Sequence, residues 1–176
     1  MDKTFSFGNV GGLQVFAKGS AFVGMAILDV LFTIIGVTLL NLSFIEALIG
    51  AVLATSLHFL GEYLHQQGHA LGAKRSGHPM TGMMFWWVLA RSLYPRDEPE
   101  LPANVHIQRA IAGPLFSAVI TVIAFVIAFA LSSTGGLAYY LAAFFALDNL
   151  LVFTLGALLP LGFTDGSTLL YWLPRR

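Results

Sequence analysis

Four long, predominantly apolar stretches, residues 21–41, 45–72, 110–132 and 137–160, constrain this chain more than any other feature. A bilayer core about 30 Å thick needs roughly 20 apolar residues of helix at 1.5 Å rise each, and every stretch reaches that length. Lipid offers no partners to backbone N–H and C=O groups, so spans of this length are expected as helices that satisfy themselves internally. Composition agrees. The chain is 57% hydrophobic and 10% charged, against about 25% charged residues in ordinary soluble domains. The expectation is an all-α polytopic membrane protein, one domain over residues 1–176. Its four transmembrane helices form two hairpins, with a small cytoplasmic β element at the membrane surface.

The polar breaks support that layout. Asn41-Leu42-Ser43-Phe44 separates the first two stretches and Ser132-Ser133-Thr134-Gly135-Gly136 the last two, which suits tight helix–helix turns within segments 21–72 and 110–160. All nine Lys and Arg residues then fall on one side: Lys3 and Lys18, the residues from Lys74 to Arg109, and Arg175 with Arg176. The positive-inside tendency makes that side cytoplasmic, with both termini there. The first stretch is too long for a cleaved signal core and is expected to be a retained helix. Segment 73–109 reads as a cytoplasmic insertion and 161–176 as an Asp-Gly loop with a C-terminal segment. In the lead segment 1–20, Thr4-Phe5-Ser6-Phe7 and Leu13-Gln14-Val15-Phe16 alternate like strands. The run from Met83 to Leu89 is also β-prone, and Phe85, Trp86 and Trp87 equally suit an interfacial aromatic anchor. Nine acidic residues balance the nine basic ones, so nothing points to nucleic acid.

The second stretch carries the chemistry. At 100° per residue, Thr55, His58, Glu62, His65, Gln66 and His69 share one face. Ionisable groups at membrane depth are costly and usually face the bundle interior or a wet cavity. In His65-Gln66-Gln67-Gly68-His69 the two histidines are four residues apart, so both imidazoles can address one tetrahedral ion. The chain has no cysteine, which leaves histidine and carboxylate as ligands. Asp165, just beyond Pro160, lies at the same end as His69 and can supply the third. His58 is about 10 Å up the axis from His65, too far to share its ion. It is expected to pair with Glu62 at i+4, the alternative being an axial ligand for a planar cofactor such as a haem or chlorophyll. Asp29 and Asp148-Asn149 are expected to make helix–helix hydrogen bonds, and His78 and His106 to be ordinary solvated residues.

These residues resemble the site-2 protease family of intramembrane zinc metalloproteases. The likeness rests on His65-x-x-Gly68-His69-Ala70. It extends to Ala157-Leu158-Leu159-Pro160 followed by Asp165-Gly166, where the family has an asparagine in place of Ala157. Ala112-Gly113-Pro114 resembles an alanine-glycine-proline motif of the family, and the segment from Gly8 to Val15 its short strand before the first core helix. The resemblance implies zinc held by His65, His69 and Asp165 and a transmembrane protein substrate. It also implies a general-base glutamate directly after the first histidine, where this chain has Gln66.

An amide has no titratable proton near neutral pH, and losing a general acid/base typically forfeits about 10²- to 10⁴-fold in rate. The expected function is therefore a site-2 protease-like homologue unable to hydrolyse peptides as written, either a natural pseudoprotease or an engineered inactive form. A third explanation is that Glu62 supplies the missing carboxylate. It is poorly placed as a base, about 6 Å deeper along the axis than Gln66, but able to orient an imidazole. The rival reading is a non-catalytic subunit of a larger membrane complex, holding a lipophilic cofactor through a histidine. A transporter is disfavoured because the four helices show no inverted repeat.

Overall fold

The computed structural model describes residues 3–176. Two strands, β1 (Thr4–Val10) and β2 (Leu13–Lys18), lead into helices α1 (Gly19–Thr38) and α2 (Phe44–Arg75). Strands β3 (Gly82–Trp86) and β4 (Leu89–Leu93) follow, then α3 (Ala103–Leu131), α4 (Gly136–Asp148) and the short α5 (Asp165–Trp172). Four helical segments are long and apolar enough to cross a membrane: Gly19–Thr38, Phe44–Arg75, Ala103–Leu131 and Gly136–Leu158.

Each boundary has a local cause. At the start of α2, Ser43 and Glu46 form a reciprocal capping box, which satisfies two of the free N–H groups of the first turn. The α4 segment is not the uniform helix expected over 137–160. It widens into a π-helical turn over Asn149–Leu155, tightens to a 3₁₀ turn over Gly156–Leu158 and stops before Pro160. Asn149 Nδ2 donates to the Phe145 carbonyl, and Thr154 Oγ1 donates to the Asn149 carbonyl five residues back. The first helix ends earlier than expected, at Thr38, and Asn41 takes a positive φ of 53°. Helix α3 begins seven residues before the apolar stretch, so Arg109 belongs to a helix and not to a surface insertion. A hydropathy cut at residue 110 missed this because Asn104, His106, Gln108 and Arg109 are polar yet helical.

The helix interfaces are built from small residues. On α2, Ala47, Gly50, Ala51, Ala54, Gly61, Gly68, Gly72 and Ala73 are buried, as are Ala110, Gly113, Ser117, Ala124 and Ala128 on α3. Small residues let backbones approach closely where helices cannot rely on water to drive them together. Large apolar side chains point outward instead: Phe129 is 82% exposed, and Val30, Ile45 and Val126 are similarly bare. That inverted pattern is what a lipid-facing surface requires.

The four strands form one sheet in the order β1-β2-β3-β4, with β2 and β3 parallel and the other pairs antiparallel. Leu13, Val15, Met80 and Met83 pack with Ala73 of α2 into a buried cluster, joined by Tyr63 and Ala70. The β-prone run from Met83 breaks at a two-residue turn, Trp87-Val88, so β4 is a strand the sequence reading did not separate. Trp87 takes a positive φ of 52°, unusual for a large side chain, and its carbonyl rests where a Cβ on Gly24 of α1 would lie. The sheet therefore does more than rest on the bundle, because its β3–β4 tip is wedged against α1 and reaches His58 of α2. Trp86 and Trp87 remain partly exposed beside it, so strand pairing and an outward aromatic face coexist.

Candidate metal centre

Helix α2 presents Thr55, His58, Glu62, His65, Gln66 and His69 inward, all buried. The one-face reading of this stripe matches their placement. Beyond that the face divides.

His65 and His69 turn their Nε2 atoms towards each other at 2.9 Å, and both approach Asp165 Oδ2, at 3.2 Å and 3.4 Å. Asp165 opens α5, beyond the π and 3₁₀ turns that end the α4 segment. Four equal ligands on a tetrahedral zinc with bonds of 2.0–2.1 Å are separated by roughly 3.3 Å. The three separations fall close to that edge length. The opposite ring nitrogens are committed elsewhere: His69 Nδ1 donates to the Arg109 carbonyl at 2.8 Å, and His65 Nδ1 meets Ser117 Oγ at 3.0 Å. A carbonyl only accepts, so His69 in its neutral form keeps its proton on Nδ1 and leaves Nε2 as a bare lone pair. Two imidazole nitrogens and a carboxylate oxygen thus converge, a donor set that fits a divalent cation.

Room for convergence comes from α3. A Cβ on Gly113 would lie 2.4 Å from His69 Nε2 and 2.8 Å from His65 Nε2. Arg109, Gly113 and Ser117 follow at four-residue spacing, so one face of α3 supplies a carbonyl, a gap and a hydroxyl to the two histidines. Ser117 and the Arg109 backbone went unnoticed in the sequence, although polar and small residues at i, i+4 and i+8 of an apolar helix were a usable signal. Arg109 is itself anchored: its guanidinium donates to Glu98 at 2.9 Å and to the His78 carbonyl at 2.7 Å and lies over the Tyr94 ring.

The other stripe residues have different partners from those expected. His58 does not pair with Glu62. Its Nδ1 faces Asp148 at 3.1 Å and its Nε2 meets the Val88 carbonyl at 2.8 Å, because α4 brings a carboxylate closer than the next turn of α2 does. With both nitrogens engaged, His58 has none to offer a planar cofactor. Asp148 does make the interhelix bond expected of it. Asn149 bonds within its own segment, and Asp29 Oδ1 has no hydrogen-bond partner among the described residues. Glu62 orients no imidazole, accepting instead from the Ala90 N–H at 2.9 Å and from Gln66 Nε2 at 3.3 Å. His106, expected to be solvated, stacks on Trp172 of α5 with centroids 4.2 Å apart.

A cavity of about 590 Å³ opens onto the cluster, lined by His65, His69 and Asp165 with Glu62, Gln66 and residues of β4. The Phe153 ring, carried by the π turn, lies between His58 and His65, at 5.3 Å and 6.0 Å between ring centres. Wide helical turns of this kind recur where a helix must place a side chain off its regular path.

No protein-family profile matches this sequence. No curated protein matches it either. Among solved structures, the site-2 protease from Methanocaldococcus jannaschii superposes with a TM-score of 0.61, over 96% of this chain and 70% of that one, at 18% identity. At that identity the likeness is one of fold: this chain is built like a site-2 protease.

Proposed function

We propose that this chain is a site-2 protease-like membrane protein that binds zinc through His65, His69 and Asp165 and, carrying Gln66, does not hydrolyse peptides. The observation that carries the reading is the convergence of two Nε2 atoms and Oδ2 within 3.4 Å of one another. A zinc ion held there would supply Lewis-acid chemistry and lower the pKa of a bound water. The protein groups around it orient the ligands: Ser117 and the Arg109 carbonyl fix the two ring orientations, and Gly113 keeps the space between them open. Among the described residues, the two polar neighbours of the histidines on α2 are poorly suited to replace the missing base. The Gln66 amide cannot accept a proton near neutral pH, and one Glu62 oxygen is taken up by Ala90 and Gln66. The partner we propose is a segment of another membrane protein, held in the cavity without being cut. The one-sided distribution of Lys and Arg supports cytoplasmic termini.

Zinc content of detergent-purified protein, measured beside a His65→Ala variant of matched folding, tests the metal claim. Near one equivalent in the parent and little in the variant is expected. Equal zinc in both would leave no role for the cluster.

A further inference from the structure

Three side chains of the same α2 face leave the metal cluster and go to the sheet. His58 Nε2 meets the Val88 carbonyl at 2.8 Å, and Glu62 Oε1 accepts from the Ala90 N–H at 2.9 Å. Gln66 Nε2 donates to the Ala90 carbonyl at 3.4 Å and to Glu62 Oε1 at 3.3 Å, while Gln66 Oε1 accepts from the Ser92 hydroxyl at 2.8 Å. The helix residues are four apart and their partners, Val88 in the turn and Ala90 and Ser92 in β4, are two apart. Four helical residues advance about 6 Å and two strand residues about 6.6 Å, so the two elements stay in step for three rungs.

Strand β4 is the last in the sheet. Its register pairs Trp86 with Leu89 across the tight turn and Phe85 with Ala90 next. Antiparallel ladders alternate, so the Ala90 N–H and C=O point away from β3, along the free edge. A bare strand edge is a template for another extended chain. Here the edge is covered by side chains of α2, beside the metal cluster.

We infer that His58, Glu62 and Gln66 act as a substitute fifth strand that fastens β4 to α2, and that the pair at 62 and 66 needs one amide to donate to the other's carboxylate. Gln66 must donate to two acceptors, the Glu62 carboxylate and the Ala90 carbonyl, and accept from the Ser92 hydroxyl. An ionised glutamate at 66 would bring only acceptors to Glu62 and Ala90, and an apolar residue would remove a donor from both and an acceptor from the Ser92 hydroxyl. Position 66 is thus committed to holding the sheet. A glutamate there opens the edge of β4 unless Glu62 becomes an amide at the same time. This assignment goes beyond the zinc reading and needs no metal.

The test is amide exchange at Ala90, followed by NMR on alanine-labelled protein in detergent micelles without added metal. Gln66→Glu, which sets two carboxyl groups against each other beside the bond from the Ala90 N–H to Glu62, is expected to speed Ala90 exchange roughly ten- to hundred-fold, the range set by weakening a bond to a charged group. The double change Glu62→Gln with Gln66→Glu re-pairs an amide with a carboxylate and should return protection to within about three-fold of the parent. Unchanged exchange in Gln66→Glu would overturn the assignment. If that single variant fails to fold, the double variant decides: folded with Ala90 protected, it supports the ladder; unfolded or unprotected, it refutes it. Because metal is absent throughout, failure of the zinc reading leaves this measurement valid.

Discussion

Within three turns of α2, neighbouring side chains on one buried face meet opposite fates. His58, Glu62 and Gln66 find protein partners for the groups they turn towards β4 and α4, and together they close a sheet edge. His65 and His69, interleaved with them, have their Nδ1 atoms engaged and their Nε2 atoms turned on each other and on Asp165. The first set spends its polar groups on protein partners; the second brings three ligand atoms together. Burial and polarity are the same in both, so neither property identifies a binding site. What separates them is whether donors and acceptors balance once every neighbour is counted.

The sharpest way to break this comparison is to damage each set separately. Asp148→Ala removes the carboxylate facing His58 while leaving that ring buried on the Val88 carbonyl. Removing one partner of a buried pair typically costs about 3–5 kcal/mol. A large drop in thermal stability in detergent is therefore expected, with zinc affinity in the folded fraction changed by no more than a few-fold. Gly113→Ala should do the reverse. Its methyl would fall under 3 Å from both Nε2 atoms, so the rings must turn aside. Zinc affinity should fall roughly 100-fold or more, on the scale seen when ligand orientation is disturbed, while most of the stability survives. If Asp148→Ala abolished zinc binding in folded protein, or Gly113→Ala bound zinc normally, the two sets would not be separate devices.

How far the sequence reveals this division follows from what each feature depends on. The spans were legible because membrane helices announce themselves by length and hydropathy, and the α2 stripe because helical periodicity places residues 55, 58, 62, 65, 66 and 69 on one face. The meeting of Asp165 with the two histidines was foreseen from the shared end of their helices. The partners of His58 and Glu62 were not, since they depend on where α4 and β4 lie. Helix spacing offered only the local i+4 pair, and tertiary contacts outcompeted it. Strand β4 was hidden because Trp87 bears a positive φ without the glycine or asparagine that normally signals a tight hairpin. Arg109 was assigned to a loop because its side chain is charged, although 6% residue exposure and three kinds of partner place it within the fold.

Arg109 also gives the smallest and most pH-specific expectation, because it belongs to neither α2 set yet supports one of them through its carbonyl. The hydrogen bonds from its guanidinium hold the Glu98 carboxyl below the ordinary carboxylate value of about 4.3. A group with a depressed folded-state pKa stabilises the fold fully above its unfolded value, and that contribution disappears as pH falls through the folded value. The Glu98 side chain is 18% exposed, so solvent screens the pair, and about 1 kcal/mol at pH 7 is the expected size. Glu98→Gln should lower the denaturation midpoint modestly at pH 7 and converge on the parent as the pH is taken below about 4. Thermal denaturation of both proteins across that range is the measurement. A gap that stayed constant with pH would mean the carboxylate charge contributes nothing, and that Arg109 is held in place by Tyr94 and the His78 carbonyl alone.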